Sequence, residues 1–111
     1  MEIGEYYKKC KIKGFWVSKN IFILNPLTEK IEMLKLEDYD KKYKFSWGDN
    51  SKGTKLLALA LLKYFATNFI ADLLHIDFAE NKLSKLPQKD FEITADYVRD
   101  YVIEYVENIS R

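Results

Sequence analysis

The stretch WGDNSKGTK, at positions 47–55, comes close to a phosphate-binding loop. Gly48 and Gly53 have the spacing of the pattern G-x-x-x-x-G-K-[ST], in which backbone N–H groups cradle phosphates and the lysine covers them. Here the last two residues are inverted, because Thr54 precedes Lys55. Consecutive helical residues point about 100° apart, so the inversion turns the amine away from the phosphates. The order argues against a nucleotide site and favours a turn that begins a helix.

The same turn keeps a simpler binding chemistry. Backbone N–H groups at the start of a helix bind anions, and two lysines lie beside them in this sequence. The candidate anion- or ligand-binding residues are Ser51, Lys52, Gly53, Thr54 and Lys55. The alternative is that Ser51, Gly53 or Thr54 only caps the helix. Both interpretations remain open from the sequence.

His75 is the only histidine and the natural candidate for acid/base chemistry. Asp72 lies three residues before it, on the same face of a predicted helix. No serine or cysteine nearby would act as a nucleophile, and a metal site would need further ligands from elsewhere. We therefore expect a structural histidine. We predict no catalytic residue, no metal site, no cofactor and no enzyme activity.

Cys10 is the only cysteine, and it stands among Lys8, Lys9, Lys11 and Lys13. Neighbouring lysines can lower the pKa of a thiol. Strand alternation, however, points Cys10 away from three of these lysines, which favours a cysteine packed in the core. One cysteine cannot form an internal disulfide, and this suits a reducing compartment.

The lysine row at 8–13 is the second candidate surface. Lys9, Lys11 and Lys13 share one face of a predicted strand, and Trp16 is one of several aromatic residues close by. Lysines interleaved with aromatic rings are typical of proteins that bind single-stranded nucleic acid or nucleotides. Lysines on a strand also block edge-to-edge aggregation, so a solvated strand explains the same pattern.

The last predicted helix carries an acidic stripe. Asp96, Asp100 and Glu104 repeat every four residues beside an apolar stripe. This pattern is typical of the solvated face of an amphipathic helix. It also suits a surface that meets a basic partner. A basic strand and an acidic helix in one small protein could pair in a homodimer.

Composition limits the class of protein. The 111 residues are 48% hydrophobic, which suffices for one packed core, so we predict a single domain over 1–111. The 18 basic and 17 acidic residues leave a net charge of +1, which argues against a protein whose main function is to bind nucleic acid through its phosphates. No secretory leader is visible, and the apolar run at 56–74 is interrupted by polar residues. We expect a cytoplasmic protein without a membrane span.

The periodicity predicts strands first and helices later. Strand patterns occur at Cys10–Ile12, at 21–24, at 30–36, and at 43–47, where Tyr43, Phe45 and Trp47 alternate. The segment 91–93 is a further short extended piece. Helical patterns follow Gly53, cover about 68–83, and continue after Thr94, a good helix-capping residue.

The predicted helices have apolar stripes that should face the core. The stripe of the second helix is Phe69, Leu73, Leu74, Ile76 and Phe78. The stripe of the third helix is Val98, Val102, Tyr105 and Ile109. The fold class is therefore α+β: an N-terminal antiparallel sheet of three or four strands, followed by two or three helices packed on one face.

The segment FSWGDNSKGTKLLALALL resembles the core of an uncharacterised domain family of bacteria, archaea and their phages. The signature of that family reads about F-x-W-G-Y-G-G-S-G-P-A-x-L-A-L-A-I-L. The matching residues are Phe45, Trp47, Gly48, Gly53, Leu57, Ala58, Leu59, Ala60 and Leu62. Further matches are Phe78, Leu86, Pro87, Phe91, Ile93 and Thr94, so the resemblance covers about 45–102.

Departures from that signature concentrate in the loop. Asn50 and Ser51 stand where the family has glycines, Lys52 where it has serine, and Thr54 where it has proline. Proline suits the first turn of a helix, so the resemblance implies that a helix begins near Thr54. The family has no established activity, and the resemblance implies a fold and no reaction.

From these patterns we expect a small non-enzymatic interaction protein that binds a protein partner. Its small size suggests a phage or mobile-element product that acts on a host protein, as an inhibitor or an anti-defence factor. The alternative is a nucleic-acid or nucleotide binding module that uses the row Lys8–Lys13 and the loop at 48–55.

Overall fold

A computed structural model of the chain describes residues 10–35 and 44–109. Within these residues the strands are β1 (Lys11–Phe15), β2 (Asn20–Asn25), β3 (Lys30–Met33) and β4 (Phe91–Thr94). The helices are α1 (Lys52–Phe65), α2 (Asn68–Asn81) and α3 (Ala95–Ile109), with a 3-10 turn at Leu83–Lys85. The predicted α+β class is confirmed.

The four strands of the described part form one antiparallel sheet in the order β3-β2-β1-β4. Tight turns join β1 to β2 and β2 to β3, and Lys19 and Glu29 in these turns have positive φ angles of 62° and 56°. The strand β4 follows α2 in the chain and pairs with β1 on the other side. The sheet is therefore completed by a strand from the second half of the sequence.

The prediction of a strand at 43–47 is wrong for its described part. Residues 44–47 pair with no strand, and Tyr43 lies outside the described residues. Trp47 is apolar at this position for a reason other than strand pairing. It is fully buried between the rings of Trp16 and Phe91, at centroid distances of 5.3 and 4.8 Å. Its indole N–H donates to the carbonyl of Lys89 at 2.9 Å. As predicted, Trp47 faces the core.

The helix α1 is the centre of the core. Every residue from Leu56 to Leu62 is buried, and the core cluster that contains most of them also contains residues of the sheet, of α2 and of α3. Its first turn passes against the segment 44–46: a Cβ atom at Gly53 would collide with the carbonyl oxygen of Lys44. Glycine at 53 therefore permits the close approach of two backbones.

The core-facing stripes were predicted in part. Leu74 and Phe78 of α2 are buried, but Phe69, Leu73 and Ile76 are 73%, 51% and 45% exposed, so placing these three in the core was wrong. Ala71 and Ala79 are buried instead, because only small side chains fit where α2 packs closely on its neighbours. In α3, Val98 is buried and Val102 and Tyr105 are half-buried, while the side chain of Ile109 lies outside the described part.

Candidate functional site

The start of α1 is a capped turn. Ser51 is the N-cap residue, with extended backbone, and its hydroxyl accepts the N–H of Thr54 at 3.4 Å. Of the three capping candidates, Ser51, Gly53 and Thr54, the structure shows Ser51 as the cap. Gly48 precedes the turn with a φ of 77°, and the side chain of Gln88 lies against its Cα. The turn is therefore held from both sides.

Asp49 supplies a carboxylate to the same helix start. It accepts the N–H of Ser51 at 3.1 Å and the hydroxyl of the buried Thr54 at 2.6 Å. Burial raises the pKa of Asp49, but the hydrogen bonds from Ser51 and Thr54 and the charge of Lys19 outweigh burial and hold it below its usual range. A negative group beside a helix N-terminus is favourable, so this chain provides its own anion there.

The predicted anion-binding residues differ in how accessible they are. Ser51 and Lys52 are exposed, Lys55 is half-buried, and Gly53 and Thr54 are buried. An external anion at this turn would meet the Asp49 carboxylate next to the N–H groups. Anion binding at 51–55 stays a prediction, and the charge of Asp49 opposes it.

Lys19 connects this turn to the sheet. Its amine lies over the ring of Trp16 and 5.3 Å from the centroid of the Trp47 ring, an arrangement that favours a cation. Loss of hydration lowers the pKa of Lys19, and the nearby Asp49 carboxylate partly offsets this. Trp16 also donates its backbone N–H to Asp90 at 2.7 Å. These contacts fasten the β1–β2 turn to the segments before α1 and β4.

The predicted nucleic-acid residues separate in space. Lys11 and Lys13 lie on the side of β1 that faces away from the helices, whereas Trp16 lies beyond the end of β1 and packs on Trp47. The ammonium of Lys13 is 3.3 Å from the carboxylate of Glu92 on β4, so Glu92 partly neutralises the charge of Lys13. Lys9 and Lys8 lie outside the described residues.

Lys11 and Lys13 belong to a larger surface that the sequence analysis missed. Residues paired across an antiparallel sheet lie on the same face. The register therefore places Lys11, Leu24 and Ile31 in one row. It places Lys13, Phe22 and Met33 in the next. With Phe15, these residues form what we call the outer sheet face: Lys11, Lys13, Phe15, Phe22, Leu24, Ile31 and Met33.

The outer sheet face is apolar and uncovered within the described part of the chain. Ile31, Met33 and Phe15 are 65%, 43% and 42% exposed, and the Phe15 and Phe22 rings pack edge to face at 5.7 Å. Exposed apolar patches on a folded domain mark binding sites more often than isolated apolar residues do. The alternation of Ile31 and Met33 against Glu32 was the available signal. That alternation does not show which face of the sheet the helices cover.

The acidic stripe of α3 divides into two parts. Asp100 and Glu104 are exposed. Asp96 is half-buried in the first turn, and its Oδ1 is buried without a hydrogen-bond partner in the described structure. A carboxylate in the first turn of a helix is favoured by the helix dipole, which accounts for its position there. Asp100 and Glu104 remain available to a partner.

His75 has a local structural contact. Its Nδ1 lies 2.9 Å from the carbonyl oxygen of Ala71, one turn earlier in α2. Because a carbonyl only accepts, this contact requires the proton on Nδ1. The contact accounts for the ring orientation without a reaction. Among the described residues, no set of three His, Cys, Asp or Glu side chains could hold a metal ion.

Cys10 packs in the core, as predicted, with 1% of its surface exposed. Burial, and secondarily the negative charge of Glu32, raises the pKa of the Cys10 thiol. The alternative considered from the sequence, a thiol activated by lysines, requires a lowered pKa, so the raised pKa of Cys10 argues against it.

The fold defines a small α+β domain with an antiparallel sheet covered on one side by helices. Within the described residues, no helix combines the length and apolar character that crossing a bilayer requires. The model of a family of unknown function, DUF6166, matches residues 19–104, and the chain belongs to this family. The match begins well before Phe45, where the resemblance seen in the sequence starts. No curated protein and no solved structure matches the chain.

Proposed function

We propose that this protein is a non-enzymatic interaction module that binds another protein through the outer sheet face. The observation that supports this proposal most directly is the row of exposed apolar side chains on a sheet whose other side is filled by the core. A domain of this size needs one covered side of its sheet to fold. Apolar residues on the second side add nothing to that core, so a partner is the simplest use for them.

The lysines and the most exposed apolar residues lie at opposite sides of the outer sheet face. Lys11 and Lys13 lie at the β1 side of the outer sheet face, while Ile31 and Met33 lie on β3, which is at the edge of the sheet among the described residues. A partner with an apolar patch bordered by acidic groups would match both parts. In its more specific form, the proposal is that a phage or mobile element encodes this protein and that the partner is a host protein which it inhibits. Small size and the absence of a recognisable catalytic set in the sequence support that form.

A capture experiment with paired variants tests the surface. The protein would be immobilised and exposed to a lysate of the cell that carries its gene. We expect a specific protein to bind the wild type and to be lost with the double variant Ile31→Lys, Met33→Lys, because two desolvated lysines would face the partner. Val17→Lys is the matched control, since Val17 is 95% exposed in the turn after β1.

The possible outcomes distinguish a wrong binding surface from a wrong function. Retention by the wild type and by Val17→Lys, with loss in the double variant, supports the proposal. Equal retention by all three proteins rejects the outer sheet face as the site. Absence of any specific protein partner rejects the function itself.

A single-stranded nucleic acid is the second candidate partner. The specific observation in its favour is that Lys11 and Lys13 share the outer sheet face with the Phe15 and Phe22 rings. Aromatic rings on a sheet stack with bases, and lysines beside them contact phosphates. The ion pair between Lys13 and Glu92 weakens this arrangement, which is why we rank it second.

Fluorescence anisotropy with a labelled mixed-sequence oligonucleotide tests this candidate. If nucleic acid is the partner, binding should appear at low salt, weaken steeply with added salt, and fall with Lys11→Ala and Phe22→Ala. Lys85→Ala, outside the outer sheet face, is the control. No change in anisotropy at low salt would remove this candidate.

A further inference from the structure

The helix α2 carries a second exposed apolar surface, on the opposite layer of the molecule from the outer sheet face. Phe69, Leu73 and Ile76 are 73%, 51% and 45% exposed and are spaced four and three residues apart. Residues with this spacing lie on one side of a helix. We call this side of α2, defined by Phe69, Leu73 and Ile76, the helical ridge; the exposed Glu80, one turn after Ile76, lies at its end.

Two grooves of opposite character flank the helical ridge. On the α1 side, a groove of about 390 Å³ is lined by Lys52, Lys55, Leu56, Leu59, His75 and Ile76. On the α3 side, a groove of about 290 Å³ is lined by Asp77, Asn81, Lys82, Tyr101, Glu104, Tyr105 and Asn108. None of the residues that line the first groove is acidic, although the exposed Asp72 lies on the same side of α2, between the groove and the ridge. The second has two carboxylates against one lysine.

Hydrogen bonds hold the acidic groove on the α3 side in place. The hydroxyl of Tyr101 on α3 donates to the carboxylate of Asp77, and the amide of Asn81 donates to the same carboxylate at 2.9 Å. Burial, followed by the hydrogen bond to Asp77, raises the pKa of Tyr101, so this phenol keeps its proton. The Tyr101–Asp77 hydrogen bond therefore links α3 to α2 on this side. Glu104 projects from α3 one turn further along.

We propose that a second copy of this chain covers the helical ridge. In a dimer whose twofold axis runs parallel to α2, the two ridges meet, and the α1 side of each copy faces the α3 side of the other. The basic groove of one copy then opposes the acidic groove of its partner, and the symmetry makes this contact twice. Lys52 and Lys55 outnumber Asp72 on one flank, and Asp77 and Glu104 outnumber Lys82 on the other. The two flanks therefore complement each other in a self-association, which favours a second copy over another protein.

The size of the surface predicts how strong this association is. The 14 residues of α2 make a helix about 21 Å long. A helix with its side chains is about 10–12 Å across, so the ridge with its two flanking grooves measures about 20 Å in each direction. Stable interfaces bury about 800 Å² per partner, and this face is smaller. The dimer should therefore be weak and reversible, and its affinity should fall as salt is added.

Analytical ultracentrifugation over a wide range of protein concentrations tests the proposal, from about 5 to about 500 µM at low salt. We expect a monomer–dimer equilibrium. Leu73→Asp should abolish it, because a carboxylate would be desolvated at the centre of the ridge. Lys55→Glu and Glu104→Lys should each raise the dissociation constant about tenfold, since each places like charges opposite one another.

The double variant Lys55→Glu, Glu104→Lys is the critical sample. It exchanges the charges on both flanks, so its dissociation constant should return to within about threefold of the wild type. Val17→Asp is the matched control and should dimerise normally, and circular dichroism would verify that every variant is folded. A monomer at all concentrations, a dimer insensitive to Leu73→Asp, or a double variant as weak as its parents would each overturn the proposal. None of these results depends on the outer sheet face.

Discussion

At the scale of single residues, Asp49 organises the start of the central helix. Its carboxylate holds the hydroxyl of Thr54, which is completely buried, and the N–H of Ser51. A buried hydroxyl that loses its only strong partner costs the free energy of its lost hydration. Asp49, which the sequence analysis did not single out, therefore has the clearest structural role in this loop.

Replacing this carboxylate should destabilise the fold. We expect Asp49→Ala to lower the free energy of unfolding by about 1–3 kcal/mol, because the buried Thr54 hydroxyl keeps only its 3.4 Å contact with the Ser51 hydroxyl. Asp49→Asn should cost less, since the amide oxygen can still accept both bonds. Urea unfolding followed by circular dichroism measures both values. Equal stability of Asp49→Ala and wild type would contradict the role assigned to this carboxylate.

The same residue predicts a dependence on pH. The pKa of Asp49 is lower in the folded protein than its ordinary value, so the folded state favours the ionised form. Its contribution to stability is complete above the ordinary value of about 3.9, and it is lost as the pH falls through the lower folded value. The stability difference between wild type and Asp49→Asn should therefore shrink below about pH 4. A difference that grows on acidification would show that the sign is wrong.

Cys10 should be chemically silent in the folded protein. Its thiol is buried and its pKa is raised, so little thiolate is available at neutral pH. We expect a thiol reagent such as 5,5′-dithiobis-(2-nitrobenzoic acid) to react slowly with the native protein and immediately in denaturant. Rapid native reaction at pH 7 would indicate that the thiol is accessible.

At the scale of elements, Gly53 tests how closely α1 passes the preceding segment. Alanine is favoured over glycine inside a helix by about 1 kcal/mol, so propensity alone predicts that Gly53→Ala stabilises the protein. The structure predicts the opposite, because the added Cβ would meet the carbonyl oxygen of Lys44 and the side chain of Ser46. We expect a loss of about 1–3 kcal/mol in chemical denaturation, typical of overpacking. A stabilised variant would show that the two segments are further apart.

The elements that local patterns determine were predictable from the sequence. Strands β1 to β3 follow the alternation of apolar residues, and α1 begins after the cap at Ser51. The strand β4 was seen only as a short extended piece, because its partner β1 lies almost eighty residues earlier in the chain. The pattern at 43–47 misled for the opposite reason: Trp47 is buried by rings from distant segments and not by strand pairing.

At the scale of the whole molecule, the binding surfaces depended on tertiary structure that no local pattern carries. The sequence identified Lys11, Lys13 and the acidic residues of α3 as candidates, and the structure places the lysines on a strand of the sheet and the acidic residues on a helix. It could not show which face of the sheet the helices cover. For the same reason Phe69, Leu73 and Ile76 were assigned to the core, although the helical ridge they form is exposed.

Our central proposal is that this protein meets its partner at the outer sheet face. Site-specific photocrosslinking in the cell that carries the gene tests it most directly. A photoreactive phenylalanine analogue would replace Phe22 or Ile31 on this face, or Val17 in the exposed turn as the control. We expect a discrete protein adduct from the first two positions and none from the third. Adducts of equal yield from all three positions, or none from the face, would contradict the claim.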